Sequence, residues 1–377
     1  MNGRAVIVCG GAGYIGSHMV AMLLARGYRP VVVDNLSTGH VDAVPARVSL
    51  RLGDIGDTGF MTAVLREFSP QCVMHFAAAS LVGESNARAA FYWHNNLVQT
   101  LSMLDSMVGC GVGQLIFSST AAVYGNPIDV PIVETHPKVP INPYGNTKLS
   151  VEHALHDYGV AHGLRSVVFR YFNAAGAHPD GSLGERHEPE THLIPLVLQV
   201  AAGTRALIAR FGTDFETPDG SAVRDYVHVQ DLCAAHLLAL EALNAGAASA
   251  TYNLGNGGGH SVTEVIEAAR RVTGRLITVR DDPRRSGDPS VLVANAALAR
   301  DQLGWVPQFS GLETILQHAW NWHRGAAAHE AAEAIRLPSA FAGSLPRSRR
   351  VAINGRASQP GPVAQPQRGL SRRHAPR

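Results

Sequence analysis

The sequence predicts an α/β protein: a doubly wound parallel sheet with a smaller C-terminal α/β domain that binds the substrate. Through the first half of the 377 residues, short apolar runs alternate with helix-length stretches. That is the pattern of a parallel sheet covered by helices on both faces. A glycine-rich turn joins the first run to the first helix. Beyond about Asn173, loops rich in Gly, Pro and His break the alternation.

In chain order, Ala5–Cys9 is a short apolar strand, Gly16–Arg26 a helix and Pro30–Asp34 a second strand. Cys72–Phe76 and Gln114–Ser118 are further strands that end in small or polar residues, with helical stretches such as Phe91–Met107 between them. Tyr144 opens another helix that runs to His162. Past Asn173, strands are expected near Leu207–Phe211 and Leu276–Val279. Arg224–Leu243 again reads as a strand and helix, so the second domain is expected to exchange segments with the first. The last helix lies near Leu312–Arg324. Residues 1–172 then form the cofactor domain and 173–325 the substrate domain. The Arg-, Pro- and Ala-rich stretch 326–377 has too few large apolar residues to bury and is expected to be disordered.

A hydrophobic content of 46% against 16% charged residues suits a globular enzyme with a sizeable core. No apolar run reaches membrane-spanning length, and the first is too short for a signal peptide before it meets glycines. A cytoplasmic protein without membrane association is expected. Cys9, Cys72, Cys110 and Cys233 have no disulfide or metal spacing, so buried free thiols are expected, and no metal. The net charge of +2 conceals an asymmetry. Nine arginines and no acidic residue follow from Arg336 onward; removing them from the 32 basic residues leaves 23 against 30 acidic ones. Basicity belongs to the tail and gives no reason to expect nucleic acid as a partner of the folded part.

Gly10-Gly11-Ala12-Gly13-Tyr14-Ile15-Gly16 fits both GxGxxG and GxxGxxG, with a strand before it and a helix after it. The glycines allow a tight turn and let the backbone approach a pyrophosphate at the helix N-terminus. This is the dinucleotide-binding turn of a Rossmann-type sheet. Asp34 closes the second strand, where a carboxylate accepts from adenosine ribose hydroxyls and repels a 2′-phosphate. No Lys or Arg occurs in Asn35–Gly39, so the cofactor is expected to be NAD rather than NADP. Asp54 either bonds the adenine amino group or is a polar loop residue.

Tyr144 and Lys148, at i and i+4, share one helix face. A free tyrosine, with a pKa of about 10, is a poor base near neutrality. An ammonium on the same face is expected to stabilise the phenolate and lower that pKa. Among 32 basic residues only Lys138 and Lys148 are lysines, which adds weight to a lysine at this spacing. Ser118-Ser119-Thr120 closes the strand at Gln114. Thr120 is the hydroxyl chosen to bond the substrate oxygen that gains or loses the proton; Ser119 is read as structural.

These segments resemble the extended short-chain dehydrogenase/reductase family. Further motifs narrow the resemblance to the UDP-glucose 4-epimerase group: Asp34-Asn35-Leu36, His75-Phe76-Ala77-Ala78, Val82-Gly83-Glu84-Ser85, Arg170-Tyr171-Phe172-Asn173, Arg224-Asp225-Tyr226-Val227-His228-Val229, Tyr252-Asn253-Leu254-Gly255 and Arg284-Arg285-Ser286-Gly287-Asp288. It covers roughly residues 4–325. The resemblance implies that Tyr144 is the acid/base, that Lys148 tunes it and holds the cofactor, and that Thr120 bonds the sugar O4. It adds Gly10, Gly13, Tyr14, Ile15, Gly16, Asn35, Ile55, Phe76, Ala77, Ala78, Asn95, Ser118 and Tyr171 as cofactor contacts. Asn173, His192, Leu193, Phe211, Arg224, Arg285, Asp288 and Leu292 would hold the UDP-sugar. His192 replaces a common asparagine; the alternative is a plain helix-start residue before Pro195. Ser80 stands where some members place a lysine. Leu292 meets the C2 side of the sugar, or else points into the core.

The implied activity is an NAD-dependent isomerase that interconverts UDP-galactose and UDP-glucose through a transient 4-keto sugar, as a homodimer. Another UDP-sugar 4-epimerase, including one for UDP-N-acetylglucosamine, is the alternative. A 4,6-dehydratase needs carboxyl groups after Thr120, where Ala121 and Ala122 stand. A non-catalytic NAD-binding protein would not need the Tyr144/Lys148 pair.

Overall fold

The computed structural model describes residues 4–285 and 287–336, with side chains through Gly325. Seven parallel strands form the main sheet: β1 (Ala5–Cys9), β2 (Arg29–Asp34), β3 (Ser49–Leu52), β4 (Cys72–His75), β5 (Gln114–Thr120), β6 (Arg165–Tyr171) and, after four intervening strands, β11 (Ala250–Leu254). Their order is β11-β6-β5-β4-β1-β2-β3. Connections run one way from β1 and then the other, so the switch point falls between β1 and β4. In sheets of this kind the ligand crevice opens there, beyond the carboxyl ends of the strands.

β1 is buried along its whole length. Its alternate residues serve opposite faces: Val6 and Val8 join one core, Ile7 and Cys9 the other. The first core is covered by α1 (Tyr14–Ala25). The second is covered by α2 (Thr58–Phe68), which Asp57 caps by accepting from Phe60 N at 2.9 Å. Two short helices follow, α3 (Val82–Ala87) and α4 (Ala89–Tyr92). The expected helix Phe91–Met107 is divided: after α4 a π-helical segment at Trp93–Val98 precedes α5 (Gln99–Gly109). That bulge turns Asn96 inward, and π segments of this type accompany functional sites. α6 (Pro143–His162) begins with Asn142, which accepts from Gly145 N, and with Pro143 in its first turn.

The chain then forms β7 (Asn173–Ala175), α7 (Leu193–Ala202), β8 (Ile208–Phe211), β9 (Val223–Arg224), β10 (Tyr226–His228) and α8 (Val229–Asn244). After β11 come β12 (His260–Ser261), α9 (Val262–Thr273), β13 (Val279–Asp282), β14 (Val291–Leu292), α10 (Ala297–Leu303) and α11 (Leu312–Arg336). Segments from this later half, β11 and α8, pack with the main sheet. A third core gathers α7, α9 and the start of α11 around Ile194, Val197, Val265 and Trp320.

The strand expected at Leu276–Val279 lies at Val279–Asp282. Ile277 supplies the buried side chain, but the ladder with β8 forms later, through charged residues on an exposed two-stranded edge. β6, β11 and α9 were not anticipated. α11 continues to Arg336, beyond the expected end near Arg324; the rest of the expected tail, 337–377, lies outside the described residues, as does Ser286. Residues up to Glu330 form one compact unit; from Ala331 a second begins, of which the end of α11 is the described part.

Candidate active site

Gly10 leaves β1 with φ +76°, and a Cβ there would stand 2.6 Å from Ala77 N. The glycine turn and the chain leaving β4 therefore touch at the switch point, an approach only glycine permits. Gly16 is equally constrained, with an added Cβ 2.1 Å from Gly10 O. Gly13 heads α1 with no side chain to cap it, so the leading N–H groups of the helix remain for a ligand. Asp34 braces the turn. Its Oδ2 accepts from Ala12 N at 2.9 Å and its Oδ1 from Leu36 N at 2.8 Å. A carboxylate has further lone pairs for ribose hydroxyls. These features fit a dinucleotide. Asp54 accepts from Gly56 N and from Gln99 Nε2, and Asn35 Nδ2 lies 3.5 Å from it. Ile55 is buried in the core.

Tyr14 sits on the turn but its hydroxyl donates to Gly176 O at 2.6 Å, tying α1 to the segment after β7. Phe76 and Ala77 donate their N–H groups to Cys9 O. Asn95 meets Asn96, and it is Asn96 that carries the tie the sequence reading missed. Asn96 accepts from Ala79 N, and donates to Ala79 O and to Thr147 Oγ1, so the Ala78 segment is latched to α6. Tyr92 and Glu84 hold the next stretch: the Tyr92 hydroxyl accepts from Leu81 N and lies 2.9 Å from Glu84 Oε2.

Thr120 ends β5 and Tyr144 lies on the first turn of α6. The Thr120 hydroxyl is close enough to the Tyr144 phenol to favour its ionised form, and Thr120 Oγ1 accepts from Ala122 N at 3.1 Å. Burial pushes the Tyr144 phenol above its ordinary 10.0, and the Thr120 hydroxyl pulls it part of the way back. The expected lowering by Lys148 is not seen. Lys148 Nζ donates to Ser118 O at 2.8 Å and lies over the Phe117 ring. Burial lowers the lysine itself to about 7, against the pull of Glu152, which weakens it as a cation. In the protein by itself the dry setting outweighs the ammonium.

Behind these residues two buried networks set the strand ends. His236 Nδ1 is 2.8 Å from Leu232 O and must carry the proton, so Nε2 accepts from the Tyr171 hydroxyl, which in turn accepts from Ser118 Oγ. Burial holds His236 at about 4, hence neutral. Ser118 and Tyr171 thus spend their hydroxyls on each other. On the other side Ser119 Oγ donates to Glu152, which receives a forked Arg170 guanidinium with contacts of 2.6 to 3.2 Å. Arg170 also reaches the Tyr124 hydroxyl.

The residues expected to hold UDP fall into two groups. Arg224, Arg285, Asp288 and Phe211 come together: Asp288 accepts from Arg224 at 2.6 Å and from Arg285 at 2.9 Å, and Arg285 lies over the Phe211 ring. Asn173 donates its N–H to Asp225 O beside β10. His192 heads α7, but its ring hydrogen-bonds Glu185 rather than this group, and Leu193 packs on the third core. Leu292 packs, half-buried, against the cluster of Ala121, Val123, Tyr124 and Ile132 next to Thr120. Ser80 is exposed. Cys9, Cys72 and Cys233 are buried free thiols and Cys110 is a half-buried one. Among the described residues no helix is long and apolar enough to cross a membrane.

Comparison with known proteins identifies the family. Residues 6–255 match the NAD dependent epimerase/dehydratase family. UDP-glucose 4-epimerase of Halalkalibacterium halodurans is 50% identical over 320 residues, 85% of this chain and 96% of the relative. Among solved structures, UDP-glucose 4-epimerase from Brucella ovis in complex with NAD is 47% identical with a TM-score of 0.82, covering 84% of this chain and 97% of that one. The Bifidobacterium longum enzyme in complex with NAD+ and UDP is 37% identical with a TM-score of 0.82, covering 86% and 99%. The chain belongs to the NAD dependent epimerase/dehydratase family and to its UDP-glucose 4-epimerase group.

Proposed function

We propose that this chain interconverts UDP-galactose and UDP-glucose by inverting C4 of the sugar, with tightly held NAD. The observation that carries the reading is the meeting of the Thr120 hydroxyl with the Tyr144 phenol at the carboxyl end of β5, with Lys148 anchored behind on Ser118 O. NAD, when bound, supplies the acceptor and donor of hydride for C4. Gly10–Gly16 cradle its pyrophosphate and Asp34 takes its ribose hydroxyls. Tyr144 removes the O4 proton and later returns it, while Thr120 orients O4. Arg224 and Arg285 exchange their bonds to Asp288 for diphosphate oxygens, which guanidinium forks fit well. Holding the nucleotide firmly and the sugar loosely lets the 4-keto sugar turn over and be reduced on its other face. Residues 1–172 serve the cofactor and 173–325 the UDP-sugar, with segments exchanged between them.

Phe91, Trp93 and Val98 near α5, and Val160 on α6, expose 38 to 79% of their surface, which supports a homodimer built on these helices. Free thiols suit a cytoplasmic setting. The deciding experiment supplies purified protein with UDP-galactose and no added cofactor. UDP-glucose should form, and NAD should be released on denaturation. An NAD-bearing protein that leaves UDP-galactose unchanged would sink the reading.

A further inference from the structure

We propose that Glu185, His187, Glu190 and His192 form a binding site for one divalent transition-metal ion, with zinc the best match. The four side chains lie within eight residues of chain, and one donor atom of each falls within 4.8 Å of all the others. His187 Nδ1 is 3.3 Å from Glu185 Oε1 and 3.5 Å from Glu190 Oε2. A tetrahedral ion with bonds of about 2.0–2.2 Å separates its donors by roughly 3.3–3.6 Å. His192 Nδ1 bonds Glu185 directly, a contact the ion would replace.

The carboxylates are aimed. Glu190 Oε1 accepts from the N–H groups of Thr191 at 2.7 Å and His192 at 2.8 Å, which leaves Oε2 turned toward His187. Backbone bonds of this kind orient metal-binding carboxylates. The side chains of Glu185 and Glu190 are each only 6% exposed, whereas His187 at 27% and His192 at 45% leave a path for entry. Two imidazole nitrogens and two carboxylate oxygens suit zinc or cobalt; calcium and magnesium take oxygen donors.

Four protein donors close a tetrahedron, so the ion would clasp structure rather than do chemistry. What it would clasp is well defined. The His187 ring meets Tyr14 edge-on at 6.3 Å, and Glu185 O accepts from Trp322 Nε1 at 3.2 Å. Arg186 pairs with Asp42 at 2.5 Å, and Leu193, the first residue of α7, follows His192 directly. The ion would fix this segment between the glycine turn and α7. The proposal does not depend on the epimerase reading.

The test uses untagged protein freed of metal by a chelator, titrated with cobalt(II) alone. The expected result is the visible absorption of four-coordinate cobalt, saturating at one ion per chain and abolished by one equivalent of zinc. Glu185→Gln and His187→Gln should each weaken cobalt binding by about tenfold or more. An ion-pair cluster with no metal would give no such spectrum in the wild-type protein, and that overturns the proposal even if a variant fails to fold. Saturable binding that survives both substitutions places the ion elsewhere and overturns it equally.

Discussion

At the carboxyl edge of the main sheet, Asp34, Ser118 and Lys148 are each more than nine-tenths buried, and backbone groups meet Asp34 and Lys148. Across the site the Arg285 side chain is 61% exposed, and Asp288 holds two arginines at once. One wall is preorganised by the sheet; the other is a set of ion pairs, partly buried at Arg224–Asp288 and open to solvent at Arg285. A reaction that keeps its cofactor but must bind and release a nucleotide sugar calls for this division. Substitutions on the first wall should cost chemistry or folding, and those on the second should cost affinity.

The largest effect is expected from Tyr144→Phe. Loss of the proton-transferring group should lower kcat by about 10²–10⁴-fold while NAD content and folding persist. Turnover near wild type would show that the rigid wall does not carry the proton.

Glu152→Leu tests how firmly that wall is built. Arg170 and Glu152 have side chains 5% and 8% exposed, so removing the carboxylate strands a buried guanidinium. A loss of about 3–5 kcal/mol is expected in denaturant unfolding. A change below 1 kcal/mol would mean that the network is not rigid.

On the open wall, Arg285→Ala should raise KM for UDP-galactose by about tenfold with kcat little changed, as for loss of one charge-assisted hydrogen bond. A fall in kcat alone would erase the distinction between the walls.

Lys148 gives the rigid wall a pH signature. Its folded value of about 7 lies below the 10.5 of an ordinary lysine. Between those values the unfolded chain binds more protons, so this group costs stability at neutral pH and its cost fades as pH rises from 7 toward 10. Unfolding free energies at pH 7 and pH 9 should therefore climb more in wild type than in Lys148→Met. Parallel profiles would refute the buried lysine.

The smallest effect concerns Leu292. Replacing it with Ser should raise the kcat/KM of the N-acetylated pair relative to the UDP-glucose pair by a few-fold, and Tyr should lower it, since apolar pockets discriminate by only about 1–3 kcal/mol per group. Unchanged ratios would assign Leu292 to the core it packs against.

What could be read from the chain is what depends on near neighbours. The turn at Gly10–Gly16 is one continuous stretch, and Tyr144 and Lys148 are one helical turn apart. β1, β2, β4 and β5 are apolar runs with clear ends. The pattern fails where an element is stabilised by something distant. β11 is a strand because it lies against β6, and β13 because it pairs with β8 through charged residues. Phe91–Met107 reads as one helix, yet Trp93–Val98 within it is a π segment with Asn96 buried. Glu185, His187, Glu190 and His192 are near neighbours in the chain, but only the folded loop brings one donor atom of each together.

By itself the sequence determined the strand–turn–helix at Gly10–Gly16, the carboxylate of Asp34 that closes β2, and the Tyr144/Lys148 pair, because each is set by backbone rules acting over a few residues. Tertiary structure decided which groups are spent on one another. Asn96 reaches Thr147 across 51 residues, Ser118 reaches Tyr171 across 53, and Tyr171 reaches His236 across 65. It also decided the direction of the Tyr144 shift, because burial is a property of the assembled site, and desolvation there outweighs the charge that helix spacing had led one to expect.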